Sequence, residues 1–160
     1  ITLPSNIEKV LDVTKIDSDY LVLYFFPMMI APGENIPSEW NDIPGARGCT
    51  PQNITITEHS RELEKYNAVP IGISTQRIEE LIKISTLRNF SHLLASDHNL
   101  KFQEKLLIPV FDFNNKTMYK RLTIIVKNSK IVKVFYPVFL PDKHIFEILK
   151  WFEEKSIDQN

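Results

Sequence analysis

The sequence predicts an α/β domain in which a mixed central sheet carries helices on both faces. Three observations lead there. Two apolar runs, 19–27 and 68–75, are separated by a helical stretch; two strand-like runs flank Asn128-Ser129; and an amphipathic helix closes the chain. Strands joined through a helix pair in parallel, whereas a hairpin adds antiparallel strands, so the sheet is mixed. The 160 residues suit a single domain, 1–160, with a core of ordinary size.

"DYLVLYFFP" (19–27) is continuously apolar and reads as a central strand buried on both faces. "MMIAPGENIPSEWNDIPGARG" follows. Together with Pro27 it holds four prolines, and it has three of the chain's four glycines and no periodicity. It is a long loop, and long loops inside compact domains usually carry function. A helix is expected over 50–66, with Thr50 as N-cap and Pro51 in its first turn. The run Ile54-Thr55-Ile56-Thr57 is β-branched, so the first turns of that helix are weak.

"AVPIGIST" (68–75) is the next buried strand, and 76–90 a helix with Ile78, Leu81 and Ile82 at helical spacing, interrupted at Ser85. "HLLASDH" is a short strand running into a turn, and "NLKFQEKLL" a short helix. Strands 120–127 and 130–138 form the hairpin. In the last helix, 141–155, Ile145, Ile148, Leu149 and Phe152 share one face. Trp40 and the group Phe135, Tyr136 and Phe139 read as core, a homodimer face being the other reading.

Composition excludes several function classes. With 19 basic and 20 acidic residues and a net charge of −1, no strong field draws the chain to nucleic acid or an anionic membrane. The longest apolar run, "YLVLYFFPMMIAP", is too short to span a bilayer. Nothing at the start reads as a signal peptide, although a chain opening on Ile1 leaves a removed leader open; the expected compartment is cytoplasmic. His59, His92, His98 and His144 show no metal-ligand spacing, and the four glycines leave no phosphate-binding loop. The N-x-S/T triplets at Asn53, Asn89 and Asn115 read as chance.

The informative stretch is "IPGARGCTPQN" (43–53), which holds the only cysteine, Cys49. One cysteine excludes an internal disulfide and a multi-thiolate metal site. Cys49 lies in a turn just before the predicted helix, and unpaired N–H groups and the helix dipole favour thiolate over thiol there. Thiolates so placed have pKa values roughly one to several units below about 8.5. Gly48 allows close approach to the sulfur, and a loop position keeps the thiol reachable. The local context leaves the thiol open between reactive and inert.

Five motifs in order then matter: "YFFP" ending a strand, "GCTPQ" opening a helix, "IGIST" ending the next strand, "LLASD", and "KRLT" opening the hairpin. From Leu21 to Trp151 the chain resembles a peroxiredoxin. It is most similar to a subgroup whose loop reads like "EWNDIPGARGCTPQ", longer than that of the related bacterioferritin-comigratory type. The resemblance implies a thioredoxin-like fold and a thiol-dependent peroxidase (an antioxidant oxidoreductase) reducing hydrogen peroxide or organic hydroperoxides, without metal or organic cofactor. It makes Cys49 the peroxidatic cysteine and Arg121 the cation facing it. Gln52 would orient that arginine, Pro27 would shield the pocket, and Gly48 and Thr50 would support substrate binding.

Two departures stand out. The resemblance calls for a threonine three residues before the cysteine, where this chain has Ala46; either Thr50 or a backbone N–H at Gly48 or Cys49 takes over, or the long loop shifts the register of this part. Ile54 stands where relatives of the comigratory type carry a resolving cysteine. The expected cycle therefore uses one cysteine, with a sulfenic acid reduced by an external thiol such as glutathione, glutaredoxin or thioredoxin. The alternative is a peroxide-sensing or protein-interaction module of the same fold with little turnover.

Overall fold

In a computed structural model of the chain, residues 1–158 are described. Two short antiparallel strands, β1 (Thr2–Leu3) and β2 (Leu11–Asp12), open it. They precede β3 (Tyr20–Phe25), the long loop, helices α1 (Cys49–Glu58) and α2 (Ser60–Glu64), and β4 (Ala68–Ser74). Then come α3 (Ile78–Arg88), β5 (Leu93–Ser96), α4 (Lys101–Leu106), hairpin β6 (Val110–Phe113) and β7 (Lys116–Tyr119), hairpin β8 (Leu122–Lys127) and β9 (Lys130–Phe135), and α5 (His144–Asp158).

The main sheet has the order β5-β4-β3-β8-β9. β3, β4 and β5 run parallel, β8 pairs antiparallel to β3, and β9 pairs antiparallel to β8. This is the mixed sheet expected from the helical crossovers and the hairpin. Alternation along β3 sorts its side chains between two cores. Val22 and Tyr24 face one with Phe26, and there Ile56 of α1, Leu63 of α2, Leu81 and Ile84 of α3, and Ile148 and Phe152 of α5 cover the sheet. Leu23 and Phe25 face the other, with Phe102 of α4, Leu3, Leu11 and Tyr119. Helices do lie on both faces, but the second face has only α4, and short strands complete its cover. Asp97 anchors that side: it accepts from the Lys101 and Phe102 N–H groups at the start of α4 and from the Tyr119 hydroxyl.

Several elements depart from the sequence reading for identifiable reasons. The helix expected over 50–66 divides at His59, where φ −107° and ψ 16° break the helical path. It also begins earlier. The Gln52 N–H bonds to the Gly48 carbonyl at 3.0 Å, so Gly48, at φ +103°, is the N-cap and Cys49 the first helical residue. Thr50 is thus inside the first turn rather than capping it. In α3 the buried positions are Leu81, Ile84 and Ser85, whereas Ile82 is exposed. Ser85 interrupts the apolar stripe because its hydroxyl accepts from the Asn6 side chain at 2.9 Å. Trp40 is buried with Ala46 and Met118. Tyr136 and Phe139, read as core, are instead exposed, because β9 ends at Phe135 and the chain turns outward before α5.

Gly72, in the middle of β4, shows how tightly the first core is filled. A Cβ there would stand 2.6 Å from the Tyr24 hydroxyl oxygen and 2.8 Å from Leu94 Cδ2. Gly72→Ala is expected to lower unfolding free energy by about 1–3 kcal/mol. Denaturant titration checks this, and an unchanged midpoint would contradict it.

Candidate active site

The site forms where the sheet register brings β8 against β3. Leu122 pairs with Phe25 at the carboxyl end of β3, so Arg121, one residue earlier, projects into the space where the loop after β3 returns. The loop comes back over that end through Trp40, Ala46 and the turn at Gly45, then enters α1 at Cys49. Gly45 takes φ +78°. At Gly48 two demands coincide: its φ of +103°, and a place for Cβ only 2.8 Å from Pro141 Cγ, so a side chain there is both strained and obstructed.

Cys49 is 3% exposed and Arg121 4%. The loop was expected to keep the thiol reachable; instead Met29, Ala31, Trp40 and Ala46 bury their side chains, so the loop packs down over the sulfur's surroundings. The guanidinium Nη2 of Arg121 lies 3.2 Å from Cys49 Sγ. The same nitrogen donates to the carbonyls of Gly45, Ala46 and Arg47 at 3.2, 3.2 and 2.9 Å. Nη1 donates to Gln52 Oε1. Arg121 has no ion pair with a carboxylate among the described residues. Carbonyl and amide oxygens carry only partial charge, so Sγ is the one contact of this buried cation that can become an anion.

The chain brings together four of the six sequence-predicted positions, Cys49, Arg121, Gln52 and Gly48. Thr50 is half-buried in the first turn, and Pro27 is buried past the end of β3, its carbonyl accepting from Ser74 Oγ at 3.3 Å. Neither makes a hydrogen bond to the cysteine–arginine pair among the described residues. Ala46, the position without a hydroxyl, contributes its carbonyl, which accepts from Arg121 and faces Sγ at 3.7 Å. At the start of α1 the N–H groups of Cys49 and Thr50 have no intrahelical acceptor, and Pro51 has no N–H to satisfy.

Sequence reasoning missed the support beneath α1. Asn53, read as a chance glycosylation triplet, is fully buried; its Nδ2 donates to the Cys49 carbonyl at 2.8 Å. Its Oδ1 accepts from the Tyr24 hydroxyl at 2.6 Å and lies 3.1 Å from His92 Nε2. The other ring nitrogen of His92 meets the Thr57 hydroxyl. A polar residue four positions after the cysteine, on the helix face that Ile56 also buries, was the available signal for Asn53. His92 had none. Burial pushes the His92 pKa down to about 3 and holds the Tyr24 hydroxyl neutral.

Beside the pair, His144 Nε2 lies 2.9 Å from Thr123 Oγ1. Burial lowers its pKa, Glu147 opposes that shift, and the Arg121 cation adds to it. A cavity of about 280 Å³ lies against Arg121 and Gly45, with Phe111, Pro137, Val138 and Phe139 as its apolar walls and Lys120 at its side. Among the described residues no cluster of His, Cys, Asp or Glu is arranged to hold a metal ion, and no helix is long and apolar enough to cross a membrane.

No family model matches the chain. It is 23% identical over 164 aligned positions to peroxiredoxin Bcp of Escherichia coli strain K12, covering 97% of this chain and 92% of that protein. Among solved structures it is similar to peroxidoxin BcpB of Mycobacterium tuberculosis, with a TM-score of 0.76, 21% identity, and coverage of 96% of this chain and 92% of that one. It is also similar to the bacterioferritin comigratory protein of Xanthomonas campestris, described for alkyl peroxide reduction, with a TM-score of 0.74, 17% identity, and coverage of 97% and 91%. These likenesses bear out the thioredoxin-like fold.

The buried histidine makes a pH dependence. His92 stays neutral in the fold down to about pH 3, whereas the unfolded chain takes up that proton near the ordinary value of 6.5. Its contribution is therefore whole above that ordinary value and is lost as pH falls, at up to ~1.4 kcal/mol per pH unit. Carboxylates join only below about pH 5, so the interval from about 6.5 to 5 isolates histidine. His144, also lowered by burial, adds a slope of the same sign, so His92→Gln is expected to make the stability profile there shallower, without abolishing its slope, in chemical denaturation. An equal slope in both proteins would contradict the assignment.

Proposed function

We infer that the chain is a peroxiredoxin of the Bcp type with a single cysteine, a thiol-dependent peroxidase in which Cys49 is the reacting sulfur. The observation that carries the site assignment is the buried Arg121 guanidinium 3.2 Å from Sγ with no carboxylate partner among the described residues. A cation so placed stabilises negative charge on the sulfur before reaction and on the departing oxygen during it. Gln52 holds Nη1, and the carbonyls of residues 45–47 hold Nη2, so the cation is aimed in advance.

The thiolate of Cys49 attacks one peroxide oxygen and the O–O bond breaks. The sulfur gains that oxygen as a sulfenic acid, and the other oxygen leaves with a proton as water or alcohol. The free N–H groups of Cys49 and Thr50 at the start of α1 are the donors for the peroxide oxygen, in place of the hydroxyl that Ala46 lacks. Pro27, buried past β3, limits solvent near this end of the sheet. The cavity beside Arg121 suits the organic part of a hydroperoxide, since its walls are mainly apolar.

With no second cysteine in the chain, the sulfenic acid is resolved by an external thiol. That thiol displaces water to give a mixed disulfide, and a second thiol then releases Cys49. Neither half of the cycle calls on a metal or organic cofactor. The sensing-module alternative has no observation in its favour.

Arg121→Ala is expected to slow oxidation of Cys49 by hydrogen peroxide at least about a hundredfold, with the far-ultraviolet dichroism retained. Stopped-flow peroxide kinetics check this. A rate within a few-fold of the parent protein would remove Arg121 from the chemistry.

A further inference from the structure

Asn53 sits in the interior of a helix and is fully buried, two places that disfavour an asparagine unless its amide is well bonded. The bonds it makes fix the amide in one orientation. Oδ1 accepts from the Tyr24 hydroxyl at 2.6 Å and from His92 Nε2 at 3.1 Å, which leaves Nδ2 to donate to the Cys49 carbonyl at 2.8 Å. Neutral His92 carries one ring proton. With that proton on Nε2, Nδ1 accepts from the Thr57 hydroxyl, and Thr57 Oγ1 in turn accepts from the Ser91 N–H at 3.1 Å. The hydrogen bonds run in one direction, from Ser91 ahead of β5 to the carbonyl of Cys49.

The network fixes a peptide plane. The Cys49 carbonyl and the Thr50 N–H belong to one planar trans unit and point in opposite directions, so holding the oxygen aims the hydrogen. The carbonyl is drawn along α1 toward Asn53. The Thr50 N–H therefore leaves through the open end of the helix, where Sγ stands 3.7 Å from the Ala46 carbonyl. The preceding plane is held from within the helix, the Gly48 carbonyl accepting from the Gln52 N–H at 3.0 Å. A bond inside α1 moves with α1. Asn53 instead ties its carbonyl to the sheet, because Tyr24 on β3 pairs with Thr123 on β8, two residues beyond Arg121. The direction of the Thr50 N–H and the place of the guanidinium are thereby set against the same strands.

We propose that Asn53 is a positioning residue for peroxide reduction, aiming the Thr50 N–H at the peroxide oxygen through the Cys49 carbonyl, with Tyr24 and His92 fixing its amide. The assignment rests on the peroxidase reading of Cys49. As the thiolate forms the S–O bond and the O–O bond breaks, negative charge grows on the oxygen that leaves with a proton as water or alcohol. A donor already aimed needs no turning at that moment. Because Ala46 supplies no hydroxyl, this work falls to backbone donors, whose direction is only as fixed as their peptide planes.

The test compares stopped-flow oxidation by hydrogen peroxide with the thiolate titration of Cys49, read by its ultraviolet absorbance against Cys49→Ser. Asn53→Ala is expected to slow oxidation per thiolate about tenfold or more. The midpoint of the titration is expected to stay in place, since Arg121 keeps its contact with the sulfur. Tyr24→Phe, which removes a single oxygen, is expected to give a smaller loss of about threefold at the same midpoint. In the double variant that smaller loss is expected to vanish, because Tyr24 acts through Asn53. Should Asn53→Ala not fold, the threefold loss in Tyr24→Phe at an unchanged midpoint decides alone. Unchanged oxidation in the folded variants, a midpoint that moves with the rate as a loosened turn would give, or additive losses would overturn the assignment. A parent protein that reacts with peroxide beside variants equally fast loses only the role of Asn53. A parent protein whose Cys49 does not react loses the peroxidase reading and this role together.

Discussion

Arg121 is a cation buried to 4% exposure whose donors meet three successive backbone carbonyls, one amide oxygen and one sulfur. Removing a guanidinium from water costs several kcal/mol unless its hydrogen bonds are replaced. The turn at 45–47 replaces those of Nη2 and Gln52 that of Nη1, while Nε stays buried without a partner among the described residues, so three carbonyls must converge on one nitrogen. Convergence on that scale bends the chain sharply, and the positive φ angles at Gly45 and Gly48 are where it bends. The start of α1, the placement of Gln52 and the position of Cys49 all follow from satisfying this one group.

The rest of the fold delivers that cation and steadies the helix opposite it. Pairing of Leu122 with Phe25 sets Arg121 at the carboxyl end of the central strand, where the loop after β3 must return. On the other side, Tyr24, Asn53 and His92 form a buried polar chain that grips the Cys49 carbonyl. Such a network is stabilising only when its members are paired, and the room for the Tyr24 hydroxyl comes from the missing side chain at Gly72. Sheet register, helix anchoring and one glycine in β4 thus bear on the same few ångströms around the sulfur.

How legible this was in the sequence differs by element. β3, β4, the β8–β9 hairpin and α5 announce themselves through apolar runs and helical spacing, because burial against a sheet requires those patterns. Cys49, Arg121 and Gln52 were found through ordered motifs, and they meet in space. The strands β1 and β2, two residues each, have too few positions to show alternation. The β6–β7 hairpin was missed: its strands alternate weakly, and the positive φ angles at Asn114 and Asn115 in its turn belong to the folded chain. Burial of the thiol was illegible because it depends on how a loop without periodicity folds back. Asn53 and His92 were missed because each has its partners only in the tertiary structure. Tyr136 and Phe139 were misread because aromatic residues signal packing, yet these two follow the last paired residue of β9.

The central claim is that Cys49 reacts with peroxide as a single-cysteine centre and is restored from outside the chain. Its most direct test is intact-mass titration of the reduced protein with hydrogen peroxide in the presence of a sulfenic acid trap, with and without glutathione. The account predicts one trapped oxygen at Cys49, abolished in Cys49→Ser, repeated peroxide consumption when the thiol is supplied, and sulfinic acid when it is withheld and peroxide is in excess. A protein that keeps its reduced mass in modest peroxide, or whose sulfenic acid persists in the presence of every small thiol and of thioredoxin, would contradict it.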